Sequence, residues 1–227
     1  MQEKALVETS DGRWIAASGL VFVAAWIVGL VIVAPPAATS STADLIAFYQ
    51  ANRNLAMLQT YLTNGLTGIA LIVFAAALRS ALRRFEGESS TLSSIILGSG
   101  LVVASLSCLE ALFALVLANH IAATRDAVVI RTLLDLNGEI DTFKLFVLGI
   151  MIGTASLLAA RVRAFPGWLV WLGIVAALLL IIASWGSPFN NEIFTMVLYV
   201  SGIGLLIWAA AVSVIMGWRV RAVAASA

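Results

Sequence analysis

Six times in its 227 residues the chain passes through an apolar run of about 20 residues or more, at 14–34, 55–82, 92–119, 139–160, 168–185 and 192–218. A helix needs about 20 residues to cross roughly 30 Å of hydrocarbon at 1.5 Å per residue. Backbone polar groups find no partner in lipid, so runs of this kind are stable only as helices that satisfy themselves. The expected fold is therefore all-α: one domain, a polytopic bundle of six transmembrane helices. Charged residues make up 11% of the chain, where a soluble domain carries about 25%. So few charges cannot cover a water-facing surface.

Lys4 and Arg13 precede the first run, as they would in a signal peptide. Its apolar core is longer than the 7–15 residues of such a segment, so a retained span is expected. Pro35 and Pro36 stop it. Thr42 is the expected N-cap of a short helix over 43–51. Residues 83–91 form a charged turn, and Pro166-Gly167 and Gly186-Ser187-Pro188 punctuate the last two runs. Residues 124–140 are neither long nor apolar enough to span. Val129, Leu133, Leu136 and Ile140 recur there at helical spacing, opposite Arg131 and Asp135. That predicts a short extracytoplasmic amphipathic helix on the membrane surface, hinged at Gly138.

Lysine and arginine set the expected orientation. Lys4, Arg13, Arg79, Arg83, Arg84, Arg161, Arg163, Arg219 and Arg221 fall at one end, while Arg53, Arg125, Arg131 and Lys144 fall at the other. The more basic end should be cytoplasmic, with both termini, in a multi-pass cell-membrane protein. The net charge of +1 gives no argument for nucleic acid. Cys108 is the single cysteine, so a thiolate metal cluster is excluded. His120, the single histidine, lacks the His-x-x-x-His or Glu-x-x-His spacing of a metal site. Neither metal nor cofactor is expected.

Polar residues within the spans gather toward the less basic end. Thr60, Asn64 and Thr67 form a stripe on the second run, Asn137, Asp141 and Lys144 on the fourth, and Glu192, Thr195 and Tyr199 on the sixth. Together they predict one cavity opening outward. Glu110 is the only acid deep inside an apolar run. An acid near the bilayer centre costs about 2.5–3.5 kcal/mol on insertion scales, so it should face the bundle interior. The small residues Gly100, Ala104, Ser107, Ala111, Ala114 and Ala118 beside it mark the packed side of its helix. A buried neutral acid can donate a proton.

These features suggest an enzyme acting on an apolar isoprenoid- or lipid-like molecule by acid–base chemistry. Glu110 is the expected proton donor, and Asp141, Glu139 or Asp135 supplies a second carboxylate. Asn64, Thr67, Lys144, Tyr199 and Glu192 are the expected polar contacts to substrate. Trp26, Trp185, Tyr199 and Trp208 are candidate aromatic faces for a carbocation, as in an isoprenoid cyclase. The bland alternatives are structural. Glu110 can hold helices together through Asn64 or a serine, and Lys144 can snorkel outward or pair with Asp141. A non-enzymatic lipid-binding or accessory subunit, or a small proton-coupled transporter, is then the alternative. Membrane lipid and an apolar small molecule are the expected partners, and homo-oligomerisation stays open.

The run Phe165-Pro166-Gly167-Trp168-Leu169-Val170-Trp171-Leu172-Gly173 opens the fifth span, and Leu78-Arg79-Ser80-Ala81-Leu82-Arg83-Arg84 closes the second. Six spans bounded in this way resemble a broad group of small, uncharacterised bacterial integral membrane proteins. The likeness covers most of the chain. It implies the fold, and it brings no activity or site residues.

Overall fold

In the computed structural model, residues 2–36, 40–83, 86, 90–121, 126–186 and 192–225 are described. All regular structure among them is helical: α1 Gln2–Ile32, α2 Thr42–Thr60, a π-turn Tyr61–Leu66 running directly into α3 Thr67–Arg83, α4 Thr91–Val116 with a second π-turn Leu117–Ile121, α5 Ala127–Arg161, α6 Gly167–Gly186 and α7 Glu192–Ala225. Among the described residues, six helical segments are long and apolar enough to cross a membrane, with α2 and α3 forming one 42-residue segment.

Local chemistry sets the helix ends. The Ser41 hydroxyl caps α2 by accepting the Asp44 amide at 3.1 Å, one residue before the expected cap Thr42. Asp126 caps α5, its carboxylate accepting the Val128 and Val129 amides. The carboxylate of Glu86 reaches forward to the Leu92 and Ser93 amides and so caps α4 from the preceding turn. At the far end of α5, Arg163 adopts a left-handed φ of 52°, and the Ala164 amide donates back to the Ala159 carbonyl at 2.9 Å. That closure leaves Pro166 free to start the next turn.

The six spans form a ring in chain order. Each packs on the next, and α7 closes on α1. The Ser213 hydroxyl donates to the Ala209 carbonyl of its own helix at 2.7 Å and lies 3.4 Å from the Ile15 carbonyl across that closing seam. The main core runs through the ring on Leu78, Ile96, Met151, Ile152, Leu158, Leu169, Leu180 and Trp208. Trp208 is fully buried, edge-on to Phe74 at 6.2 Å. Gly173 makes room for it: a Cβ there would collide with the Ser156 hydroxyl and the Trp208 indole nitrogen.

A second, smaller core caps one end of the ring. Leu45 from α2, Leu117 from the second π-turn and Ile130 from α5 are buried together, with Ile46, Tyr49, Leu133 and Leu134 around them. Two polar ties bind the same layer. Arg53 donates to the Asn119 side-chain oxygen at 2.6 and 3.2 Å, and Arg131 donates to the Ser40 carbonyl.

The cap corrects two expectations. Residues 127–140 are helical, but they are the leading turns of a continuous 35-residue α5, not a separate surface helix hinged at Gly138. The helix continues because Ile130 is buried against α2 and the second π-turn, which holds these turns in line with the span. The short helix over 43–51 is likewise joined to its span, with a kink at Asn52 (φ −119°, ψ 20°). The Asn52 side-chain NH2 donates back to the Phe48 carbonyl there, competing with the backbone ladder. The expected turn at 187–188, together with Thr124 and Arg125, lies outside the described residues.

Candidate functional site

Beneath the cap, three charged side chains meet between α4 and α5. The Lys144 ammonium is bonded to Glu110 Oε2 and lies 2.7 Å from Asp141 Oδ1. Helical period explains the second contact, since residues three apart share a face. The first contact is made across the helix interface. It holds Lys144 beside Glu110 rather than letting it snorkel outward.

The first π-turn brings a fourth group. The Asn64 amide nitrogen donates to Glu110 Oε2 at 3.0 Å and to the Thr63 carbonyl at 3.2 Å. The opposite amide orientation offers one 3.5 Å contact with Lys144 instead, so the first satisfies more groups. A π-turn adds a residue to the helix and re-aims the side chains beyond it, and such turns are frequent at functional sites. Glu110 Oε1 is buried and has no partner. The Asn137 side-chain oxygen, one turn before Asp141, is buried and unpartnered as well.

Side-chain exposure rises in order along the cluster: 2% at Glu110, 13% at Lys144 and 51% at Asp141. A chain of polar groups thus leads from the sealed interior to the surface. Chemically, the cluster offers a carboxylate oxygen free to accept a proton or a hydrogen bond, beside an ammonium able to donate one.

The other expected site residues divide clearly. Asp135 and Glu139 are exposed, on other faces of α5 from Lys144. Thr67 is buried but spends its hydroxyl on the Thr63 carbonyl at 2.5 Å. Trp26 packs on Phe22 with ring centroids 5.8 Å apart. Trp185, 72% exposed, stacks on Phe146 at 6.5 Å, and Tyr199 is 71% exposed. Trp208 is sealed in the main core. Among the described residues, no ring contact or hydrogen bond joins these four aromatic side chains to Glu110. Glu192 begins α7, and its side chain, like that of His120, lies outside what is described. Sequence reasoning missed Thr63, whose carbonyl orients the Asn64 amide, and its place in a π-turn left no sequence signal. No group of three or more His, Cys, Asp or Glu able to hold a metal ion occurs among the described residues.

No curated protein and no solved structure matches the chain. Residues 17–218, from the first span to the last, match the family model described as Domain of unknown function (DUF4386), and the chain belongs to that family.

Proposed function

We propose that this protein is an integral membrane enzyme that acts by acid–base chemistry on the polar end of a lipid-like molecule. Glu110 is the base and Lys144 the acid. The observation that carries this reading is the buried, unpartnered Glu110 Oε1 beside the Lys144 ammonium. It revises the donor role expected of Glu110. A carboxylate already paired with an ammonium is better placed to take a proton than to give one. Cyclisation through a carbocation is not part of the proposal, because no described contact joins its aromatic candidates to Glu110.

In this reading the capped end faces outward and both termini are cytoplasmic. The support is arginine placement: Arg13, Arg79, Arg83, Arg161 and Arg163 lie at the opposite end from the cap. A substrate reaches the cluster from the membrane, tail in lipid and head toward Asp141.

The test is to reconstitute the protein, identify lipids that co-purify by mass spectrometry, and follow their conversion. Glu110→Gln keeps the shape and can still accept from Lys144, so folding should survive while turnover stops. Full turnover by the variant overturns the reading. An accessory-subunit role is the second reading. It is favoured by Trp185 and Tyr199, which present aromatic surface away from the cluster, as a partner helix would use it. Co-purification of a stoichiometric membrane protein, with no lipid converted, selects that role.

A further inference from the structure

The end of the ring away from the cluster holds a charged group of its own. Arg79 on α3 makes no ion pair with a described residue, and its Nε is buried without a hydrogen-bond partner. The place of Arg79 on the helix explains the burial. Ala75, one turn earlier, packs so tightly on α4 that a Cβ at Gly100 would lie 2.4 Å from its own. Ile72, Ala76 and Arg83 share the flank of Arg79 and are exposed. Arg79 thus stands at the edge of the groove between α3 and α4. Its stem is folded against packed helices, while the residue as a whole is part exposed, so its terminal nitrogens reach the open edge.

Depth puts this edge at the membrane interface. A Cβ at Gly19 would meet the Phe74 ring at 2.9 Å, so α1 and α3 pass side by side there. The two run antiparallel, and Trp14 lies as far before Gly19 as Arg79 lies after Phe74, which brings them level. Trp14 is 58% exposed, as suits an indole at headgroup depth. Lipid phosphates lie at the same depth. Arg83, one turn beyond Arg79, adds a second guanidinium on the same flank, and two like charges so placed repel. An anion between them replaces that repulsion with attraction. Glu86, the one acid among the described side chains of this end, is spent on the Leu92 and Ser93 amides. A guanidinium fork matches the oxygens of a phosphate two at a time.

We infer that Arg79 and Arg83 bind the phosphate of an anionic phospholipid at the edge of the α3–α4 groove, its headgroup held by their terminal nitrogens and its tails along the exposed Ile72 and Ala76. A zwitterionic lipid is disfavoured, because its ammonium group comes up against the same two arginines.

The test uses the full chain in neutral maltoside micelles. Phosphatidylglycerol and phosphatidylcholine of the same chain length are titrated separately, and Kd is read by native mass spectrometry. Phosphatidylglycerol should bind at least roughly tenfold more tightly. Arg79→Gln should weaken it by roughly tenfold or more and leave phosphatidylcholine unchanged. Arg79→Lys keeps the charge but loses the planar fork, and should weaken it by roughly fivefold or more. Arg83→Gln, at an exposed position that folding tolerates, should weaken it by a smaller factor and keeps the test decisive if the Arg79 variants do not fold. Wild-type affinity in Arg79→Lys would mean diffuse attraction to positive charge and overturns the site. Equal affinity for the two lipids, or phosphatidylglycerol binding unchanged in Arg83→Gln, overturns it as well. Displacement of the lipid by inorganic phosphate at low millimolar concentration assigns the arginines to a free phosphate and overturns the lipid as their ligand.

Discussion

The ammonium of Lys144 on α5 is bonded to the carboxylate of Glu110 on α4, 34 positions earlier in the chain and almost fully buried. Each charge on its own would be costly at this depth, and each removes most of the other's cost. Lys144→Met should therefore destabilise strongly, by about 3–5 kcal/mol, because it leaves a buried carboxylate unpaired. The double variant Lys144→Met/Glu110→Gln should recover at least half of that loss. Thermal unfolding of the two single variants and the double variant measures the coupling, and additive losses would show that the pair is not a unit.

Gly173→Ala puts a methyl group against the Ser156 hydroxyl and the Trp208 indole nitrogen, both fully buried. Overpacking there should cost about 1–3 kcal/mol. Adding Ser156→Ala removes one of the two obstacles and should restore part of the loss. Unchanged unfolding temperatures would mean that the ring has slack at this level.

Glu86 lies in the turn between two spans, so its titration is read in water. Desolvation pushes its carboxyl up, but hydrogen bonds from Ser93 and from the Leu92 amide, with Arg161 nearby, outweigh this and hold it below the usual carboxylate value. A group lowered on folding contributes stability that is present above its unfolded pKa, near 4.3, and is lost as pH falls through the lower folded value. The unfolding temperature of wild type should therefore drop between about pH 5 and pH 3 relative to Glu86→Gln. Parallel curves for the two proteins would exclude this cap as a source of acid sensitivity.

Topology is checked with single cysteines at Ser90 and Asp126 in a Cys108→Ser background. A membrane-impermeant thiol reagent should label position 126 from outside intact cells, and position 90 only after the cells are opened. The reverse pattern would invert the protein and send the route to Asp141 to the cytoplasm.

Much of this architecture was legible in the chain because hydrocarbon is an uncompromising solvent. Apolar runs of about 20 residues in an ordinary chain have few other uses. Glu110 stood out for the same reason, as a lone acid in such a run, and its small neighbours marked the side that packs. Its partner was harder to read. Which residue of α5 stands level with Glu110 depends on how two helices slide past each other. That register is set by close contacts such as Gly100 of α4 against the Met151 sulfur of α5, which no single-helix periodicity reveals. Asp135 and Glu139 are a different case. At about 100° per residue they fall well away from the face of Lys144, so helical geometry alone separates them from Asp141. The π-turn at 61–66 adds a residue with no composition of its own, and the register of Asn64 had to come from the structure.

The seam between α1 and α7 has a consequence for how the protein is made. α1 ends at Ile32 and α7 begins at Glu192, so the first helix emerges long before the neighbour that covers one of its sides. At about 5–20 residues per second of synthesis, that side waits roughly 10–30 s. For that interval Gly19 and the Ile15 carbonyl face lipid or the insertion machinery instead of Ser213. The ring is a chain of local steps with one delayed closure, and a ribosome stalled before α7 leaves an open horseshoe.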